Sequence, residues 1–159
     1  MYDGPLTYKL YKGIGGKNGC FQFKLIPAKI NKETEEKEPG VVFIEAAPTI
    51  GPNTYDWVNK IQFALAITDL GKFLLGFNQD KIDIFHDPDT QTPNKGTRVK
   101  TLSLSKGQTL GTYFLKLTQV NKSKEGTVSK FVNISMQTDE AKVLYVLLEA
   151  AIPRILDWT

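Results

Sequence analysis

Few residues of this chain are suited by type to chemistry. There is one histidine, His86, and one cysteine, Cys20, so neither a Cys/His nucleophile nor a His/Cys zinc site has its full set of groups. His86 opens the run His86-Asp87-Pro88-Asp89, which is acid–base or metal-ligand material. A calcium loop of the EF-hand kind needs Asp or Asn at alternating positions and then Gly, and Gln91-Thr92-Pro93 breaks that pattern. His86 and Asp87 therefore read as structural residues at a strand end and an Asp-Pro turn. Glycines 13, 15, 16 and 19 invite a phosphate-loop reading, but neither G-x-x-x-x-G-K-S/T nor G-x-G-x-x-G fits, and a strand rather than a helix follows. A kinked strand or hairpin is the expectation there. No spacing singles out a catalytic carboxylate pair. The residues thus predict no catalysis, no cofactor and no metal.

What remains is an interleaving of rings and cations: Tyr8, Lys9, Tyr11 and Lys12; Gln22 and Lys24; Tyr55, Trp57 and Lys60; then Arg98, Lys100, Phe114, Lys116 and Lys122. Alternate residues of a strand share a face. In the run 112–120, Phe114, Lys116 and Thr118 therefore lie on one side and Tyr113, Leu115 and Leu117 on the other. Single-stranded nucleic acid needs such a surface, with flat rings for bases and cations for phosphates. Exposed lysines on strands also guard edges against aggregation, so the pattern by itself leaves both readings open. The net charge is only +3, from 20 Lys and Arg against 17 Asp and Glu. Segments 32–38 and 137–159 each carry −2, which leaves +7 on the parts that read as strands. A moderately basic sheet suits a polyanion.

These residues need elements to position them. A chain of 159 residues makes one domain, 1–159. Its 41% hydrophobic and 23% charged content excludes disorder and collagen-like repeats. The longest uncharged apolar stretch, 143–148, is far short of the ~20 residues of a membrane helix, so no membrane partner is expected. A lone cysteine cannot form an internal disulfide. Residues 1–5 read as a flexible lead-in without a targeting segment, and an intracellular location is expected: cytoplasm or nucleoid for a microbial or phage protein, organelle or nucleus for a mature plant-type one. Strands are expected over 6–11, 20–26, 41–47 and 61–67, with a charged loop over 31–40. A short helix follows from Thr68 or Asp69, either of which can cap it, to near Gly76. Strands 81–86, 98–105, 112–120 and 127–135 come next. A long helix then opens at Thr138 or Asp139 and runs to Ile152, where Pro153 kinks or ends it. In 143–152 only Glu149 is charged, and a helix apolar on nearly every side must be covered on every side. Leu144, Val146, Leu147, Leu148 and Ile152 are therefore expected between copies in a homo-oligomer.

The succession Ala47-Pro48-Thr49-Ile50-Gly51, Tyr55-Asp56-Trp57, Lys60, Phe63-Ala64-Leu65, Thr68-Asp69-Leu70-Gly71 and Phe85-His86-Asp87-Pro88 resembles, in order and spacing, the Whirly family of single-stranded DNA-binding proteins. Val99-Lys100 with Leu102-Ser103-Leu104 is similar to the family's sixth strand, Gly111 with Tyr113-Phe114 to its seventh, and 138–158 with Glu140-Ala141, Pro153 and Trp158 to its closing helix. The resemblance implies an α+β fold (ββββα-ββββα), with two four-stranded antiparallel sheets packed across each other plus two helical elements. It also implies helix 138–158 at the centre of a homotetramer, and single-stranded DNA along the sheets in the service of genome maintenance or transcription. Tyr11, Tyr55, Trp57 and Phe114 are the stacking candidates, and Lys12, Lys24, Lys60, Lys100 and Lys116 the phosphate candidates. The family's K-G-K-A-A-L segment stands here as Lys12-Gly13-Ile14-Gly15-Gly16. Its second lysine, which the family uses to assemble tetramers into larger particles, is Ile14, so that assembly is not expected. RNA binding on the same scaffold, or a small-molecule enzyme with a deep closed pocket, are the alternatives.

Overall fold

A computed structural model describes residues 6–12 and 19–158. The glycine-rich segment 13–18, with Ile14, and the lead-in 1–5 lie outside the described residues. The elements run β1 (Tyr8–Tyr11), β2 (Gly19–Ile26), β3 (Lys29–Ile30), β4 (Lys37–Glu38), β5 (Val41–Gly51), β6 (Thr54–Tyr55), β7 (Ile61–Leu65), α1 (Ile67–Leu75), a 3-10 turn (Gly76–Asn78), β8 (Lys81–His86), β9 (Arg98–Lys106), β10 (Tyr113–Ser123), β11 (Gly126–Met136) and α2 (Thr138–Leu156).

Two antiparallel meanders result. The first orders β1-β2-β5-β7, with the two-residue β6 added to the end of β5; the second orders β8-β9-β10-β11. Four main strands and a helix are thus followed by four strands and a helix. Strict alternation decides the inner faces. Leu10, Phe21, Phe23, Ile44, Ile61 and Phe63 of the first sheet are buried together with Ile84, Leu102, Leu104, Leu115, Leu117 and Ile134 of the second. Both helices close this core. On α2 the buried residues Ala141, Leu144, Leu148, Ala151 and Ile155 recur at helical spacing. Phe77 meets Phe73, Tyr113 and Tyr145 edge-on, and the Tyr113 hydroxyl donates to its carbonyl at 2.7 Å. This contact gathers α1, β10 and α2 at one point.

Four expectations are corrected. The first helix starts at Ile67, not Thr68 or Asp69. Its N-cap is Ala66, which offers no side-chain cap, and Asp69 sits in the first turn, where a carboxylate suits the positive end of the helix. The second helix runs four residues past Ile152 with Pro153 inside it, because burial of Ala151 and Ile155 on either side outweighs the lost hydrogen bond and the ring's crowding of the preceding turn. Its start is fixed by a capping box, in which the Gln137 backbone N–H donates to Glu140 Oε1 at 2.9 Å and the Gln137 side chain accepts from the Glu140 N–H. Segment 31–40 is not a plain loop: β3 and β4 pair as a small hairpin. Its base docks on the carboxyl end of α2, where Ala28 N–H donates to the Arg154 carbonyl (3.4 Å), Gly40 N–H donates to the Ile155 carbonyl (2.9 Å), and Lys37 pairs with Asp157. Finally, Leu144 and Leu148 are buried in this chain's own core and are not available to another copy. Val143, Val146 and Leu147 are nearly half exposed on the adjoining side of α2, and Ile152 is half-buried.

Candidate nucleic-acid interface

Pleating sends Lys9 and Tyr11 of β1, Gln22 and Lys24 of β2, Phe43 and Glu45 of β5 and Gln62 of β7 to the side of the first sheet away from the core. The register lines up Lys9, Gln22, Glu45 and Gln62 in one row across four strands. Glu45 is the hub of this row. Its carboxylate accepts from Gln22 Nε2 at 2.7 Å and from Gln62 Nε2 at 3.3 Å, and pairs with Lys60. Burial pushes the Glu45 carboxyl up, but hydrogen bonds from Lys60, Gln62 and Gln22, together with the Lys60 charge, outweigh it and hold its pKa below the ordinary value. One row further along, the Tyr11 and Tyr55 rings lie 5.5 Å apart at 42°. Burial, then the nearby Cys20 and Tyr11, raise the Tyr55 phenol above its usual value. Cys20 is fully buried, and burial pushes its thiol up to about 11, so it holds its proton at neutral pH. Trp57 is half-buried in a turn braced by Asp56, whose carboxylate accepts from Asn59 N–H (3.3 Å) and Nδ2 (2.7 Å).

The second sheet presents a different face. Phe114, Lys116 and Thr118 point outward from β10 and Leu115 and Leu117 inward, as alternation predicts. Phe114 is 45% exposed, and Lys116 Nζ lies 4.7 Å from the centroid of the Phe131 ring on β11.

Lys100 belongs to neither outer face. It pairs with Gln119 and His86 on the inner side, beyond the last core row, where the sheets part. Its ammonium donates to the Gln62 carbonyl at 2.7 Å, and Lys130 donates to the Asn59 carbonyl at 3.4 Å, so two cations of the second sheet reach the start of β7. Burial, then the charges of Arg98 and Lys130, push the Lys100 ammonium below the usual lysine value. An open cleft here, between the edge strands β7 and β8, is lined by Gln62, Phe63, Phe85, His86 and Lys100. The His86 ring stacks on Phe63 (4.0 Å, 10°), and its Nε2 lies 2.6 Å from Asp69 Oδ2. The Asp87 carboxylate accepts from Asp89 N–H (3.0 Å) and Gly96 N–H (2.7 Å), closing the 87–96 loop. Both residues thus have evident structural work. Among the described residues no cluster of His, Cys, Asp and Glu could hold a metal ion, and no helix is long and apolar enough to cross a membrane.

The nine nucleic-acid candidates are therefore not one constellation. Tyr11, Lys24, Tyr55, Trp57 and Lys60 gather at the first sheet, Phe114 and Lys116 lie on the second, and Lys100 sits between the sheets. Lys12 stands at the amino end of α2 instead, with its ammonium 2.5 Å from Glu140 Oε1. Lys12 and Lys60 are both ion-paired, so a phosphate must compete with a carboxylate for either. Phe85, Phe131 and Lys130 are surface rings and a cation near these sites that spacing alone does not single out. Strict alternation within 81–86 and 127–135 was the signal that could have found them.

Known proteins resemble this chain in sequence and in fold. The model of the family described as Whirly transcription factor matches residues 14–147. The chain is 32% identical over 119 residues to the mitochondrial single-stranded DNA-binding protein WHY2 of Arabidopsis thaliana, covering 75% of this chain and 49% of that protein. It is 25% identical over 153 residues to the chloroplastic single-stranded DNA-binding protein WHY1 of Zea mays, covering 96% of this chain and 57% of that protein. The chain thus spans about half the length of the curated relatives it matches. Its fold superposes on the crystal structure of WHY3 from Arabidopsis thaliana with a TM-score of 0.84 at 22% identity, covering 99% of this chain and 92% of that one. With the family pattern matched along most of its length and the same two-sheet fold beneath it, this chain belongs to the Whirly family.

Proposed function

We propose that this chain binds single-stranded DNA with little sequence preference and without catalysis, and that it does so as a homotetramer in genome maintenance or transcription. The observation that carries the reading is the pairing of exposed rings with cations on open sheet faces, Phe114 and Lys116 beside Phe131 above all. It occurs in a chain whose relatives bear the name single-stranded DNA-binding protein. Unpaired bases offer flat faces to such rings, and duplex bases do not. The cations supply sequence-blind attraction to phosphates. Apolar α2 residues left open, Val143, Val146 and Leu147, support assembly through that helix.

The test is fluorescence anisotropy on a labelled oligodeoxynucleotide, its duplex and the RNA of the same sequence, titrated with salt. Single-stranded DNA should bind far more tightly than duplex, and the log of affinity should fall against log salt by roughly 0.7 per phosphate neutralised. Lys116→Ala should flatten that slope by about one contact for all sequences alike. Equal affinity for the duplex would refute the reading, and tighter binding of the RNA would replace its ligand.

A further inference from the structure

We infer that Lys100 captures aldehydes covalently, and that its target is an abasic site in single-stranded DNA; this rests on the binding proposed above and adds a reversible bond to it. The setting is the open cleft between the edge strands β7 and β8, about 470 Å³ in volume and lined by Phe63, Phe85, His86 and Lys100 among others. Lys100 of β9 stands opposite His86 of β8 in the register. The His86 ring is fixed from two sides, by Phe63 stacked at 4.0 Å and by Asp69 2.6 Å from its Nε2. Lys12 and Lys60 are held by carboxylates, which keep an ammonium charged. Among the described residues Lys100 makes no ion pair, and its ammonium donates to the neutral Gln62 carbonyl at 2.7 Å.

An amine is a nucleophile only when unprotonated. An ordinary lysine, with a pKa of about 10.4, is in that form only about once in 2,500 at pH 7. Burial, and then the like charges of Arg98 and Lys130, push Lys100 below that value. Desolvation and a neighbouring cation are the two means by which a protein makes a lysine nucleophilic. The electrophile that suits such an amine is an aldehyde. A DNA strand that has lost a base carries one, because the deoxyribose at the gap opens at C1′. Phe85, 68% exposed at the rim of the cleft, offers a ring to the base beside that gap.

The step is a condensation. The unprotonated Lys100 nitrogen bonds to the aldehyde carbon. One amine proton and one proton from the His86 imidazolium then leave with the oxygen as water, and a protonated imine remains. No electron is gained or lost. Water reverses the bond, so the capture is one to one and holds a damaged strand without turning it over.

The experiment incubates the protein with a labelled single-stranded oligodeoxynucleotide holding one abasic site, at protein concentrations that saturate it. Borohydride is then added, which reduces an imine to a stable amine. The intact oligonucleotide and free deoxyribose phosphate are treated alike. Borohydride should fix a one-to-one adduct with the abasic strand and none with the intact one, and peptide mass mapping should place it on Lys100. Lys100→Ala and Lys100→Arg should each lower the trapped fraction at least roughly tenfold, since the remaining lysines hold their protons more tightly. Lys124→Ala, which removes an exposed lysine from the β10–β11 turn, should trap like the parent. Thermal melts check the folding of each variant, and mapping on the parent reads the site without any substitution. A strand that binds but forms no adduct, an adduct on other lysines, or undiminished capture in Lys100→Arg would overturn the inference and leave the proposed function standing. Free sugar phosphate trapped on Lys100 as fast as the strand at equal concentration would overturn the DNA target. An unaltered protein that binds neither oligonucleotide would overturn both.

Discussion

Glu45 shows how a single residue can set the electrostatics of a candidate interface. A carboxylate in the middle of a face proposed to meet a polyanion looks misplaced, yet it holds Lys60, Gln22 and Gln62 in one network. Glu45→Gln removes the charge that occupies Lys60. On the proposed function, single-stranded DNA should then bind more tightly, with a salt slope steeper by roughly one phosphate contact. The fold should lose about 1 kcal/mol, the worth of a charge-assisted hydrogen bond at a partly exposed site. The sign of the pH dependence follows from the depressed pKa. The carboxylate's contribution is full above the unfolded glutamate value and is lost as pH falls through the lower folded value. Urea denaturation from pH 7 down through the carboxylate range should therefore show a shallower acid loss in Glu45→Gln than in the parent. Residue roles were the least legible level of this sequence. The types of Lys12 and Lys60 were readable, but not that Glu140 and Glu45 engage them, because ion pairs between distant segments leave no trace in local spacing.

At the scale of elements, alternation and apolar runs predicted every main strand and both helices, while the ends drifted. Ile67 looked like the last residue of a strand because its alternation with Leu65 and Phe63 continues, yet it begins α1. Segment 31–40 was read as a loop since two-residue strands carry no periodicity of their own. What orders that hairpin is tertiary: it supplies amide donors to helix carbonyls that would otherwise lack partners, with a lysine near the negative end of the helix. Gly40 makes this possible. A Cβ there would stand 2.1 Å from the Ile26 carbonyl oxygen and 2.7 Å from the Pro27 carbonyl carbon, both backbone. Gly40→Ala should therefore push the hairpin off the helix and cost about 2–3 kcal/mol. Chemical denaturation checks the loss, and hydrogen exchange should show earlier opening of the last turn of α2.

At the scale of the whole molecule, the proposed tetramer would divide folding from assembly between two faces of α2, a division the sequence concealed by making both apolar. Leu148 is 2% exposed, whereas Leu147 is 46% exposed. Leu148→Asp puts an unpaired carboxylate into the core and should unfold the chain. Leu147→Asp should leave circular dichroism and melting of the isolated chain near normal, while light scattering reports loss of the proposed tetramer. A folded Leu148→Asp protein, or a Leu147→Asp protein of unchanged mass, would contradict this division. The two-sheet plan itself was legible through the family resemblance, with which the count of eight main strands and two helices agrees. The register was not, and register is what sets His86 opposite Lys100.

The docking of α2 also has a consequence in time. Leu144, Leu148 and Ala151 line one hollow with Phe23, Leu25 and Val42 of the first sheet, and the hairpin after β2 waits for carbonyls at 154 and 155. A chain made from its amino end completes that sheet's strands more than seventy residues before the helix that shields them exists. At about 5–20 residues per second, that leaves the part of the first sheet's inner face beside α2 uncovered for several seconds at least, when exposed apolar surface is open to aggregation.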